Sequence, residues 1–163
     1  MKSLLPLALA LMLASTGAAA ALPDGNPAEV CAYMTSEGLI AGGWHVSSPG
    51  EAGCSTPAKE IGGGSPPNNL VYLADGNETS AHTLRLALNV NQPQAPAMGL
   101  QLLLQASHSL SLRVTGKRLP PQISAAITSR LGNTSATVGH VNISVVRTDW
   151  ATGDGYNLQV RFE

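Results

Sequence analysis

From His82 to Val90 the chain alternates without a break, with Leu84, Leu86, Leu88 and Val90 on one side and Thr83, Arg85, Ala87 and Asn89 on the other. A period of two sends successive side chains to opposite faces of an extended chain, so this segment is a strand with one buried face. Such a strand requires hydrogen-bonded neighbours and an apolar layer over one face only. The same pattern returns in Val138 to Thr148, with Val141, Ile143 and Val145 inward, and in the terminal Tyr156, Leu158, Val160 and Phe162. Leu70 to Ala74 reads as a further strand, separated from the first by the turn signal Asp75-Gly76-Asn77. Trp44-His45-Val46 reads as a short strand.

Between the strands the spacing becomes helical. Asn26-Pro27-Ala28-Glu29 has a capping residue, a proline for the first helical position and a glutamate able to return to the cap, which predicts a helix from Pro27 to Glu37 stopped by Gly38. Cys31 and Met34 share one side of it. Pro93 and Pro96 end the central strand and open a second helix, in which Leu100, Leu103, Leu104 and Leu110 recur at helical spacing. A third runs from Pro121 to Leu131, with Ile123, Ile127 and Leu131 aligned and Gly132 as its stop. Residues 47–68 are dominated by Gly, Pro and Ser and read as a long tethered loop.

Blocks of strands and helices joined by hairpin-length connections predict an α+β fold. We expect a single domain, an antiparallel sheet of four or five strands with two or three helices on one face. Thr83, Arg85, Asn89, Asn142, Ser144, Asn157, Gln159 and Arg161 then form a polar outward face carrying two arginines.

The first residues have a positive start at Lys2, an apolar run from Leu4 to Leu13 and a small-residue tract from Ala14 to Ala21. This is the layout of a cleavable secretion signal, too short to span a bilayer, which needs about 20 apolar residues. Cleavage after Ala20 and after Ala21 read equally well; we take residues 1–20 as the signal and 21–163 as the domain. Loss of Lys2 leaves eight Lys and Arg against ten Asp and Glu, with no run of like charge. That excludes a basic stripe for nucleic acid and a polybasic patch for membranes, and no membrane insertion is expected after signal removal. Cys31 and Cys54 both lie in the exported part, where oxidising conditions favour one disulfide.

Reactive motifs are sparse. His45, His82, His108 and His140 are scattered without i, i+2 or i, i+4 pairs, so no local metal site is expected. Gly63-Gly64-Ser65 is followed by two prolines and makes no nucleophile elbow, while Gly62-Gly63-Gly64-Ser65 lacks the lysine of a phosphate loop. Asp149, Asp154 and Asn157 surround a turn without the spacing of a calcium loop. Asn77, Asn133 and Asn142 each begin an N-glycosylation pattern, which matters only in a host that glycosylates. No catalytic residue, metal or cofactor is assigned, and an enzymatic role is not favoured.

Gly53-Cys54-Ser55 with an upstream cysteine, Asn68-Asn69-Leu70 opening a strand and the Asp149-Trp150 hairpin resemble a family of small exported bacterial proteins of uncharacterised activity. The resemblance implies export, in a bacterial host to periplasm or medium, and one disulfide. The element order also looks like secretion-chaperone folds. The leading expectation is a soluble binding protein, inhibitor- or immunity-type, that meets another exported or envelope protein through Arg85, Asn142, Gln159 and Arg161. The alternatives are a small cell-envelope hydrolase built on His45, His82 or His140, and an envelope component self-associating along Tyr156 to Phe162.

Overall fold

The computed structural model describes Leu22 and residues 25–163; the expected signal and its cleavage point lie outside the described residues. In chain order the elements are α1 (Pro27–Ala32), a 3-10 turn (Thr35–Glu37), β1 (His45–Ser48), β2 (Glu51–Ser55), β3 (Lys59–Ile61), β4 (Asn68–Gly76) and β5 (Ala81–Val90). There follow α2 (Ala97–Thr115), α3 (Pro121–Thr128), β6 (Thr134–Val138), β7 (Val141–Asp149) and β8 (Tyr156–Phe162). The eight strands form one antiparallel sheet in the order β1-β2-β4-β5-β8-β7-β6, with β3 paired to β4 beyond the end of β2. No helix among the described residues is long and apolar enough to cross a membrane.

The alternation read in the sequence is the core. Leu84, Leu86, Leu88 and Val90 of β5 stand beside Phe162, Val160, Leu158 and Tyr156 of β8, all buried on the helix side. Each such large side chain removed from water stabilises the fold by roughly 1.5–3 kcal/mol before conformational entropy is subtracted. α2 lies over β4 and β5, and α3 over β6 and β7. Gly99 permits the close approach of α2, since a Cβ there would stand 3.0 Å from a Leu88 methyl. The serines of the buried side of α2 are satisfied locally: the Ser107 hydroxyl donates to the Leu103 carbonyl at 2.7 Å and Ser111 to Lys117 at 3.0 Å.

α1 is fastened to the sheet twice. Cys31 is bonded to Cys54 of β2, with their Cα atoms 6.0 Å apart. The buried Tyr72 hydroxyl of β4 donates to the Val30 carbonyl at 2.8 Å, and burial pushes its pKa up. Leu22 is also buried in this cluster, and Ala81 N–H donates to Gly25 O at 2.9 Å.

Several expectations are corrected. Residues 47–68 are not one loop: they hold the end of β1, all of β2 and β3 and the first residue of β4, and together with β6 they raise the strand count to eight. Pro57 has no N–H to give to a ladder, so it separates β2 from β3, and Thr56 bridges the break. Its N–H donates to Tyr72 O at 3.0 Å, and its hydroxyl accepts from Tyr72 N–H at 3.1 Å. The strand expected from Val138 to Thr148 is β7 from Val141 onward, whereas Val138 ends a separate strand, β6, and the chain turns between them at Gly139-His140, with Gly139 at φ 65°. The expected first helix divides into α1 and a 3-10 turn, ended as foreseen by Gly38 in the left-handed conformation.

α3 stops at Thr128, before Leu131, and the left-handed residue after it is Arg130 rather than Gly132. Gly132 serves a different end, because a Cβ there would stand 2.7 Å from the Arg147 amide. β8 lies between β5 and β7, so Tyr156 to Phe162 offers no free edge for self-association.

Breaking the Cys31–Cys54 bond, with separation 23 in sequence, should lower stability by about 3 kcal/mol. Urea unfolding of the oxidised protein against the Cys31→Ser/Cys54→Ser double variant measures it; matching midpoints would refute a structural role for the bond.

Candidate functional site

All three helices occupy one side of the sheet, and the polar half of the alternation forms the other. Its side chains fall into cross-strand rows. Asn69, Asn89 and Asn157 stand in register across β4, β5 and β8. The Asn157 amide donates to the Asn89 side-chain oxygen at 2.8 Å, and the Asn89 amide donates to Asn69 at 2.9 Å. Identical amides repeated across antiparallel strands present a donor and an acceptor at one spacing, so each can serve both neighbours.

The next row is Val71, Ala87, Gln159 and Val146, and the one beyond it Leu73, Arg85, Arg161 and Ser144. Two arginines directly opposed repel, and the structure separates their heads. Arg85 turns to β4, where its Nε and Nη2 reach one Asp75 carboxylate oxygen at 3.0 and 2.6 Å. Arg161 instead bonds its own strand, Nε donating to Gln159 Oε1 at 3.1 Å. Arg85 is thereby neutralised, whereas no carboxylate among the described residues forms an ion pair with Arg161.

Of the four residues expected to make a binding face, Arg85, Gln159 and Arg161 are brought together on adjacent strands. Asn142 is on the same face but two strands from Arg85, near the rim, where its backbone exchanges hydrogen bonds with Glu163. Asp75 was the missed member. The turn that separates it from Arg85 offered the signal: a hairpin closing over Asn77 to Ser80 sets Leu73 opposite Arg85 and leaves Asp75 one outward step along β4. The Asn77 side chain accepts from Thr79 N–H and Ser80 N–H, both at 2.9 Å, and so builds that turn.

At the β1–β2 end the face continues into a cavity of about 480 Å³, lined by His45, Ser47, Glu51, Ser55, Leu73 and Asp75. Its carboxylates are engaged, Glu51 by the Ser48 hydroxyl at 2.7 Å and Asp75 by Arg85. Beside it, Glu78 accepts from Gly50 N–H at 2.9 Å, which draws its carboxyl below the ordinary glutamate range.

Of the histidines, only His45 lines this cavity. His45 and His82 are exposed and reach only Gly43 O and the Asn77 amide, each at 3.4 Å. His108 is half-buried on α2 and His140 is exposed in the β6–β7 turn. Among the described residues no group of three or more His, Cys, Asp or Glu is placed to hold a metal ion.

Asn89 is the only amide of the row that both donates and accepts in it, so its loss leaves two half-buried partners unpaired. Asn89→Ala should cost about 1–2 kcal/mol and Asn69→Ala about half as much, in chemical denaturation. Equal effects from the two would show that the row does not act as a chain.

No protein-family model matches the chain, and neither the curated proteins nor the solved structures searched give a match.

Proposed function

We propose that this is an exported binding protein, inhibitor- or immunity-type, that meets another exported or envelope protein through the uncovered face of its sheet. The observation carrying the reading is the one-sided placement of the helices, which leaves Val71, Leu73, Gln159, Arg161 and Val146 facing outward from the middle of a wide sheet. Aliphatic side chains interleaved with polar ones suit a protein contact, where a partly apolar centre is surrounded by hydrogen-bonding groups. The charge that is free to act in recognition is Arg161, because Arg85 is spoken for by Asp75. The complementary partner therefore presents a carboxylate at the centre of its contact. The Cys31–Cys54 bond fits an oxidising compartment outside the cytoplasm.

A photo-crosslinking residue at Gln159 should give a discrete adduct in exporting cells, one at the exposed Gln105 of α2 should not, and Arg161→Glu should abolish the Gln159 adduct. Equal labelling from the two faces, or an adduct indifferent to charge reversal, would count against this face.

Self-association has one observation in its favour, on a different strand from the one expected. β6 ends the sheet, and Thr134 to Val138 carry no charge and no proline, the usual protections of an edge. Opposed two-fold about Ala136, two copies would match inward residues to inward ones. Under that reading sedimentation gives a dimer that Thr137→Pro converts to monomer; a monomer at all concentrations removes it.

A further inference from the structure

On the helix side of the sheet, remote from the proposed contact face, the start of α2 and the end of α3 enclose a groove of about 430 Å³. That lies within the roughly 300–1,000 Å³ of small-molecule sites. Leu100 and Leu104 of α2 form its apolar wall with Pro96 and Ala97, Thr128 closes it from α3, and Arg130 stands at its side. No acidic residue lines it.

Arg130 is in an unusual place. Arg130 N–H donates to Ile127 O at 3.1 Å and Leu131 N–H to Ala126 O at 2.9 Å, the paired bonds of a Schellman helix end. The left-handed position of that motif ordinarily belongs to glycine, and Arg130 occupies it at φ 59°. A side chain held at a glycine position is strained backbone beside a cavity, where such strain tends to accompany ligand contact. Arg147 secures the geometry: its Nη1 donates to Arg130 O at 3.0 Å, while its Nε and Nη2 hold Asp149 at 2.9 and 2.5 Å. Arg147 is thus paired, whereas Arg130 forms no ion pair among the described residues. An unneutralised guanidinium against an aliphatic wall matches a ligand with one anionic end and an aliphatic remainder.

We propose that this groove binds a medium-chain carboxylate, its tail along Leu100 and Leu104 and its head on the Arg130 guanidinium. The planar fork of arginine donates two parallel hydrogen bonds to a carboxylate, which a surface lysine would not reproduce.

The conformation of Arg130 makes the test separable from folding. Arg130→Gly removes the guanidinium while supplying the residue that the backbone prefers, so the variant should melt no lower than the parent. Calorimetric titration of the oxidised protein with decanoate below its micellar concentration should show one site per chain. Affinity should fall about tenfold or more in Arg130→Gly, the scale of one lost charge-assisted contact. Decanoate should shift the Leu100 and Leu104 methyl resonances, and Leu104→Glu should abolish binding. Octyl glucoside, with a comparable tail and no charge, should bind at least tenfold more weakly than decanoate. Absence of decanoate binding to the parent, an unchanged affinity in Arg130→Gly, or equal binding of octyl glucoside would each overturn the proposal.

Discussion

The pairing of β5 with β8 holds the molecule together. It joins Leu84 to Phe162 and Val90 to Tyr156, uniting the segment before α2 with the segment after α3 across the longest stretch of intervening chain in the sheet. Its inward residues are the centre of the core, and its outward residues, Arg85 with Arg161 and Asn89 with Asn157, are the centre of the polar face. A slip of one residue in β8 would turn its apolar residues outward and bury Arg161, so the hydrophobic pattern specifies the register strongly. Every other pairing extends outward from this one.

The two faces of the sheet follow from that pair in different ways. On the helix side, burial is the governing energy, and the demand is for shape: Gly99 admits α2 against Leu88, and Gly132 admits the chain against Arg147. On the open side, the governing energies are hydrogen bonds and charge in partial contact with water. The amide row bonds its members across the sheet, although Asn157 Oδ1 is buried without a partner among the described residues, and Asp75 neutralises Arg85, whereas Arg161 has no ion-pair partner there. The same contrast appears at the end of α3, where Arg147 is tied to Asp149 and stacked 4.1 Å over the Tyr156 ring while Arg130 is not neutralised. In both places one of two neighbouring arginines is held in an ion pair and the other forms none among the described residues.

Much of this was legible in the residue order. Alternation identified the inward faces of β5, β7 and β8, and hence the outward position of Arg85, Asn142, Gln159 and Arg161. Capping and spacing located the helices, and two cysteines downstream of an expected secretion signal implied the bond that is present. What failed to show were elements whose stability is borrowed. Glu51 to Ser55 and Lys59 to Ile61 are short and rich in residues that disfavour strands; they are extended because β4 offers its edge to them. β6 escapes a reading of the sequence because its Thr, Ser and Ala carry little hydrophobic signal. The end of α3 was misplaced for a similar reason, since Gly132 is the stronger local stop while tertiary contacts put Arg130 into the left-handed position.

The sequence by itself thus determined which side of β5, β7 and β8 is dry, the class of the fold and the pairing of its two cysteines, because periodicity, propensity and redox chemistry are local or unique. Only the tertiary structure decided the order of the strands, that β8 is interior and β6 an edge, and which of the arginines are neutralised. Strand order depends on which apolar faces the helices can cover at once, and the state of each charge on neighbours contributed by other strands. The open sheet face was foreseen as a set of residues; its division into a paired Arg85 and an unpaired Arg161 exists only where β4, β5 and β8 meet.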